Sequence, residues 1–358
     1  MNDKLHVLII PSWYPTFSGD IGGSFFREQA IALKKRGCNV GVIYPQLESL
    51  RNWKKLIFSG KSSKYINDEG VNTFYSKSIN IPKLKNVNKE QYLYFGLSLF
   101  KKYIKENGFP DIIHIHSLIN AGFLANEISK KYSIPYVVTE HSSAFARKLV
   151  TKKAIKKLAE VVKDSSKNIA VSDEFKKLLN NIFNVDDWVY LPNIVNDSFF
   201  QEDFSKHENN KIFTFINICF LDKNKRVDLL INAFSVAFKG NKNIHLVIGG
   251  DGPVRMALEA LVQEKALTEQ VTFLGSLTRE QVRQEVSEAD AFVLSSEYET
   301  FGVVVIEALA LGKPVIATRC GGPESIVVPS VGYLVEKNSV HEMASAMQHL
   351  YENNKFII

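Results

Sequence analysis

The sequence predicts an α/β protein of two doubly wound domains, each a mostly parallel sheet covered by helices. Three observations lead there. At 358 residues the chain has room for two domains of roughly 100–200 residues each. Short β-rich runs alternate with amphipathic helical patterns along its whole length, the signature of parallel sheets connected through helices. A polar stretch without periodicity, 195–211, interrupts the alternation before a fresh β-start at Ile212.

In the first half the β-rich runs are 5–10, 39–44, 112–116, 136–140, 168–171 and 188–191. In the second half they are 213–219, 244–248, 271–274, 291–295, 314–318 and 332–335. Helical patterns occupy 25–35, 118–131, 226–238 and 254–264. Near-continuous apolar runs such as Ala291-Phe292-Val293-Leu294 suit strands buried on both faces. Residues 46–110, rich in Lys and Asn, read as a looser part of the first domain. The domain boundary is placed in the polar stretch, giving domains 1–195 and 196–358. In such folds ligands bind beyond the C-terminal ends of the strands, so chemistry is expected in the loops that follow them.

Composition narrows the class. Apolar residues make up 45% and charged residues 23%, an ordinary balance for a globular chain. The net charge of +6 is too mild to suggest nucleic acid as a partner. Cys38, Cys219 and Cys320 are isolated, so neither a zinc site nor a disulfide framework is indicated and a reducing cytoplasm is the natural setting. The first apolar run, ended by Pro11, is too short for a signal peptide, and no run approaches the roughly 20 apolar residues of a membrane span. Membrane association, if any, is expected to be peripheral.

The strongest chemical signal is Ser295-Ser296-Glu297-Tyr298-Glu299-Thr300-Phe301-Gly302-Val303-Val304-Val305-Ile306-Glu307-Ala308. A buried strand leads into a carboxylate-bearing loop and then a helix beginning near Gly302, whose free amides form a ready anion site. Glu299 precedes the helix and Glu307 lies inside it. Their spacing does not close them over one atom; it suits two contacts to one extended ligand. The plain alternative is a helix cap and a solvated side chain.

Glu299 and Glu307, with the following Ala308-Leu309-Ala310-Leu311-Gly312-Lys313-Pro314-Val315-Ile316-Ala317-Thr318, resemble the signature of family 4 glycosyltransferases. The resemblance extends to Gly249-Gly250-Asp251-Gly252-Pro253, Val271-Thr272-Phe273-Leu274-Gly275, Pro192-Asn193 and Gly321-Gly322-Pro323-Glu324. It implies the GT-B fold, two Rossmann-like domains facing across a cleft. Domain 1–195 would then bind the acceptor and domain 196–358 the nucleotide sugar. It also implies that Glu299 meets the transferring sugar and Glu307 the ribose hydroxyls. The amides near Gly302, Val303 and Val304 would contact the diphosphate or sugar. Gly250 and Gly252 allow close backbone approach, which suits a ligand passing over the loop; the alternative is a plain strand-to-helix turn. The family commonly continues with a helix that crosses back to the first domain, beyond the helical pattern at 341–351.

In the first domain, Gly22-Gly23 follows the first strand and opens a helix, bringing amides near a phosphate or the acceptor. This is no GxGxxG fingerprint, and alone it reads as a simple loop; the family places a Gly-Gly loop here. His141 follows the run 136–140. A neutral imidazole can donate to a sugar hydroxyl, and the matching family motif also ends in His, near the donor sugar. His114 and His116 are read as facing opposite sides of their strand, and so as mainly structural residues that form no metal pair, one of them a candidate to reach the acceptor cleft.

A departing nucleoside diphosphate needs fixed positive charge. The resemblance puts it in Phe220-Leu221-Asp222-Lys223-Asn224-Lys225-Arg226-Val227-Asp228. Lys225 matches the family's lysine, whereas Phe220 stands at the usual arginine and Arg226 at the usual glycine. Lys223 or Arg226 is therefore a candidate for the missing charge. No Asp-x-Asp occurs, which agrees with transfer that uses no metal. Arg51-Asn52-Trp53-Lys54-Lys55-Leu56-Ile57-Phe58 mixes cations with large apolar groups, and basic runs recur at 101–105 and 152–157. Such mixtures favour membrane interfaces; the alternative is a set of solvated helix faces with Trp53 and Phe58 in the core.

The sequence thus points to a retaining hexosyltransferase. Its donor would be a nucleoside-diphosphate sugar and its acceptor a glycan or lipid-linked hydroxyl, in surface polysaccharide or glycolipid synthesis, at the inner face of the membrane. No cofactor is expected. With no nucleophile placed in the first domain, front-side displacement is the mechanism the resemblance suggests. Three readings stay open beside it: a GT-B sugar-nucleotide epimerase; a phosphorylase, which would need pyridoxal phosphate and a longer chain; and a non-catalytic sugar-nucleotide-binding subunit, which Phe220 keeps in play.

Overall fold

The computed structural model describes residues 4–15, 22–49, 64–82, 84–200 and 212–353. The basic-aromatic run 51–58 lies outside them. The chain divides into two compact units, Met1–Val171 with Lys176–Ile194, and Ser172–Phe175 with Val195–Ile358.

The first unit holds strands β1 (His6–Pro11), β2 (Asn39–Ser49), β3 (Lys64–Asp68), β4 (Val71–Asn80), β5 (Ile112–His116), β6 (Tyr136–Glu140), β7 (Lys167–Ala170) and β8 (Trp188–Tyr190). They form one sheet in the order β3-β4-β2-β1-β5-β6-β7-β8. Every pair is parallel except β3–β4. The helices are α1 (Ser24–Lys35), α2 (Lys85–Asn107), α3 (Ala121–Tyr132), α4 (Lys152–Asp164) and α5 (Asp173–Phe183), the last shared between the units. β1 is buried along its entire length, as a central strand covered on both faces must be.

The stretch read as loose is regular. β3 and β4 form a hairpin whose turn, Glu69-Gly70, has positive φ at both positions, the condition for a two-residue loop matched to strand twist. β4 then runs parallel to β2 from Gly41↔Asn72 to Ser49↔Asn80. α2 buries Tyr92, Leu99, Phe100 and Tyr103, an i, i+7, i+8, i+11 stripe of a helix lying on a core. The Tyr103 ring covers Gly41, where a Cβ would sit 2.2 Å from it. The same tyrosine hydroxyl lies 2.5 Å from His6 Nε2.

The second unit has β9 (Phe213–Ile218), β10 (Ile244–Gly249), β11 (Val271–Gly275), β12 (Ala291–Leu294), β13 (Val315–Thr318) and β14 (Gly332–Val335). Its sheet is all parallel, in the order β11-β10-β9-β12-β13-β14, the Rossmann arrangement. Alternate residues feed two cores. Phe215, Leu246, Ile248, Val293 and Ile316 pack with α6 (Val227–Phe238), α7 (Arg255–Glu264) and α10 (Val340–Asn353). Ile216, Ile218, Phe292, Leu294 and Val315 pack with α8 (Arg279–Glu288) and α9 (Val303–Ala310).

The glycines after β10 hold two loops together. Gly250 has φ +120°, and a Cβ there would stand 1.8 Å from Cys219 O; at Gly252 it would stand 2.4 Å from Leu221 O. Leu221 N donates to Asp251 O at 3.0 Å and Val254 N to Leu221 O at 3.2 Å. The close approach these glycines allow is to the chain's own backbone.

Gly250→Ala should cost about 3 kcal/mol or more, combining left-handed strain with overpacking against backbone. Gly240, also at positive φ but with nothing within 4 Å of a Cβ, should cost only about 1–2 kcal/mol as alanine. Thermal melts of both variants check this; equal melting temperatures would contradict it.

Candidate active site

The order of the second sheet reverses between β9 and β12, and the crevice beyond such a switch point is where this fold binds ligands. The loops leaving these strands are 219–226 and 295–302. Backbone and side chains stitch them together. Glu297 N donates to Asn224 O at 2.7 Å, Asn224 Nδ2 to Tyr298 O at 2.9 Å and Ser295 Oγ to Lys225 O at 2.8 Å. Asp222 shapes the first loop by accepting from Asn224 N and Lys225 N.

This stitching brings two sequence-read residues face to face. Lys225 Nζ forms a short ion pair with Glu299 Oε1, with side-chain exposures of only 24% and 14%. The same oxygen accepts from Ser296 Oγ at 2.8 Å. Burial alone would lower the Lys225 pKa, but the surrounding groups, Glu299 foremost, together outweigh it and the net shift is upward, so the ammonium stays charged. The backbone of Glu299 is held from the other side. Glu299 N donates to Cys320 O, and Gly322 N to Glu299 O, both at 2.9 Å. A Cβ on Gly322 would lie 2.3 Å from the Phe301 backbone, so the Gly321-Gly322 pair lets the two loops touch. Burial pushes the neighbouring thiols Cys219 and Cys320 up to about 12, which keeps them protonated and poor nucleophiles at neutral pH.

The altered lysine loop resolves clearly. Arg226 sits at φ 47°, ψ 39°, the left-handed region that favours the glycine it replaces and costs other residues about 1–2 kcal/mol. Its guanidinium turns to Asp228, with Nε–Oδ1 and Nη2–Oδ2 both 3.1 Å, and also meets Asn338 and Glu297. Phe220 is 62% exposed, and Lys223 is exposed. Of the loop's cations, Lys225 is the one paired with Glu299.

Glu307 is no solvated side chain. It is 1% exposed on α9 and accepts from Arg279 Nη2 at 2.6 Å. The Arg279 guanidinium lies 5.1 Å from the centre of the Phe199 ring. Arg279, the first residue of α8, escaped the sequence reading because its partner is 28 residues away. Gly302 caps α9 at φ 95°, ψ 63°; the amides of Val303 and Val304 fall in the first turn, where a helix offers no internal acceptor.

In the first unit, Gly23 caps α1 at φ 78° and packs against Trp13 O, 2.9 Å from where a Cβ would lie; Gly22 is exposed. α1 then carries Phe25 and Phe26 onto His141, with ring centres 5.4 and 4.8 Å away. Gln29 Nε2 donates to Asn193 Oδ1 at 3.0 Å, which ties the Pro192-Asn193 motif to the same helix.

His114 and His116 do not face opposite sides. Residues two apart on a strand share a face, and these rings are 4.2 Å apart. His114 Nε2 lies 2.8 Å from Thr139 Oγ1 and His116 Nδ1 lies 3.1 Å from His141 Nε2. Burial lowers all three histidines, His114 to about 4 and His141 to about 3, so the imidazoles are neutral at physiological pH. Among the described residues, no group of three or more His, Cys, Asp or Glu is arranged to hold a metal ion. Nor is any helix there long and apolar enough to cross a membrane.

Both halves of the chain match known families. Residues 22–199 match the model of Glycosyltransferase Family 4, and 198–356 match that of Glycosyl transferases group 1. An uncharacterized glycosyltransferase of Methanocaldococcus jannaschii is 29% identical over 77% of this chain and 75% of its own length. Alpha-monoglucosyldiacylglycerol synthase of Acholeplasma laidlawii is 27% identical over 62% of this chain and 63% of its own length, so the chain spans less than two thirds of that relative. HepE of Anabaena, solved with UDP and glucose, superposes with a TM-score of 0.72 at 18% identity, covering 98% of this chain and 90% of that one. Two Rossmann-like sheets and matches along both halves lead to one conclusion: the chain belongs to the family 4 glycosyltransferases and has the GT-B fold.

Proposed function

We propose that this glycosyltransferase moves a hexosyl unit from a nucleoside-diphosphate sugar to an acceptor hydroxyl with retention of anomeric configuration, in the synthesis of a surface polysaccharide or glycolipid. The observation that carries this reading is the half-buried Lys225–Glu299 pair at the switch point of the second sheet. It offers a fixed cation for a leaving diphosphate and, beside it, a fixed anion for the hydroxyls of a sugar. The amides of Val303 and Val304 add donors for the phosphate, and Glu307 takes the ribose. His141, neutral and packed by α1, is suited to donate to a sugar hydroxyl. Gly22-Gly23 lies on the acceptor side, and Gly250 and Gly252 shape the donor side through the loop they support.

As the bond from the anomeric carbon to the phosphate oxygen breaks, negative charge grows on the diphosphate. Preorganised charge and amides stabilise it without reorganisation, and this is the basis for proposing transfer without a metal. The acceptor oxygen bonds to the anomeric carbon from the same face, and its proton passes to the departing phosphate oxygen. The relatives support the substrate classes: HepE was solved with UDP and glucose, and the Acholeplasma relative is named for a diacylglycerol product.

Peripheral contact with an anionic membrane belongs to the same proposal. Lys152, Lys153, Lys156 and Lys157 are exposed on α4, next to exposed Arg147, Lys148 and Leu149. Each lysine near such a surface contributes about 1 kcal/mol of attraction.

Glu299→Gln should lower turnover by roughly 10²–10³-fold and leave bare-nucleotide affinity nearly unchanged. Steady-state kinetics and calorimetry with the UDP-, GDP- or ADP-sugar that gives the largest thermal shift check this, and wild-type turnover would refute the assignment. Lys225→Ala should reduce kcat/KM by about 2–4 kcal/mol of transition-state stabilisation, with Lys225→Arg a partial rescue. Arg226→Ala, whose guanidinium faces Asp228, should lose far less; the reverse ranking would move the diphosphate contact to Arg226. Lys152→Glu with Lys153→Glu and Lys156→Glu should weaken cosedimentation with phosphatidylserine vesicles while sparing transfer to a soluble acceptor. Wild-type protein that ignores such vesicles at low salt would end the membrane proposal.

A further inference from the structure

Glu140 ends β6, immediately before His141, and is completely buried. A carboxylate removed from water needs a full set of donors, and here they come from backbone. Glu140 Oε2 accepts from Leu118 N at 2.7 Å, and Oε1 accepts from His141 N at 2.9 Å and Ser142 N at 2.7 Å. Leu118 belongs to the segment that leaves β5, two residues after His116. His141 and Ser142 begin the segment that leaves β6. One side chain thus ties together the two chain segments that present the His116–His141 contact, whose nitrogens are 3.1 Å apart. Between the same segments, Ser117 N also donates to Thr139 O at 2.9 Å, so β5 and β6 stay in register up to the clamp. Phe25 and Phe26 pack against the imidazole.

We propose that Glu140 is a positioning residue: its carboxylate clamps the segments after β5 and β6, and thereby fixes the orientation of the His141 imidazole. The inference rests on the role given above to His141. A bulky apolar residue would fill the space but leave two buried amides and the partly buried amide of Ser142 without this acceptor. Glutamine keeps the shape but turns an NH2 group toward at least one N–H donor. Burial raises the carboxyl to about 7, while these amide donors pull in the other direction and favour its ionised form.

In Glu140→Gln, kcat should fall at least tenfold while the donor KM stays within twofold. In a His141→Ala background the same change should alter kcat less than twofold, because the clamp acts through the ring it holds. Multiplicative losses in the double variant would overturn the inference. Imidazole nitrogen NMR of histidine-labelled protein supplies a readout independent of turnover. The His116 and His141 resonances should shift in Glu140→Gln while His245 and His349, in the other unit, do not. Unchanged resonances would overturn the inference even if turnover were lost. Should Glu140→Gln not fold, Glu140→Asp keeps the charge and withdraws the carboxylate by one methylene. It should show the same resonance shifts with a smaller loss of kcat, and wild-type behaviour in both would refute the clamp. A wild-type chain that transfers no sugar would refute the proposed function, while the resonances would still report on Glu140.

Discussion

The second unit is organised around an ion pair that water cannot fully reach. Pulling an ammonium and a carboxylate partly out of solvent is costly unless both have good geometry and further hydrogen bonds. Lys225 and Glu299 meet that condition because their loops are bonded directly to each other through Asn224, Ser295 and Glu297. Ser296 adds a donor to the shared carboxylate oxygen. The strand order makes this geometry available. β9 and β12 are sheet neighbours although three elements of secondary structure or more separate them in sequence, so residues 74 positions apart emerge side by side.

Close backbone approach is the means of holding these loops rigid. The β10 loop presses on the lysine loop at Gly250 and Gly252, and the β13 loop presses on the glutamate loop at Gly321 and Gly322. At each position a side chain would occupy space taken by backbone. A site that must offer fixed charge to a forming transition state gains from such support, since preorganisation removes the cost of reorienting dipoles during reaction. Glu140 provides the same support in the first unit through a buried carboxylate instead of glycines.

Much of this was legible in the sequence. Strands 112–116, 136–140 and 332–335 coincide with β5, β6 and β14, because short runs rich in β-branched and aromatic residues, bounded by loop signals, leave little freedom in placing a strand. The motif residues Lys225 and Glu299 were visible as residue types, but their pairing depends on strand order, which no local pattern encodes. The hairpin of β3 and β4 was obscured by its polar outer face, although Asp68-Glu69-Gly70 carries a turn signal. The Lys- and Asn-rich first turns of α2 hid a stripe that begins only at Tyr92. The histidine pair on β5 was misread by one step of the strand period. Glu140 could have been found, since a carboxylate closing a strand that must be buried on both faces has to be satisfied by something.

Whether Lys225 and Glu299 act as one unit is read most directly from a double-mutant cycle on kcat/KM. With Lys225→Ala, Glu299→Gln and the double variant measured on one donor, the coupling should be about 1 kcal/mol or more, the double variant losing clearly less than the sum of the single losses. Strictly additive losses would contradict it, because the two groups would then serve the reaction independently.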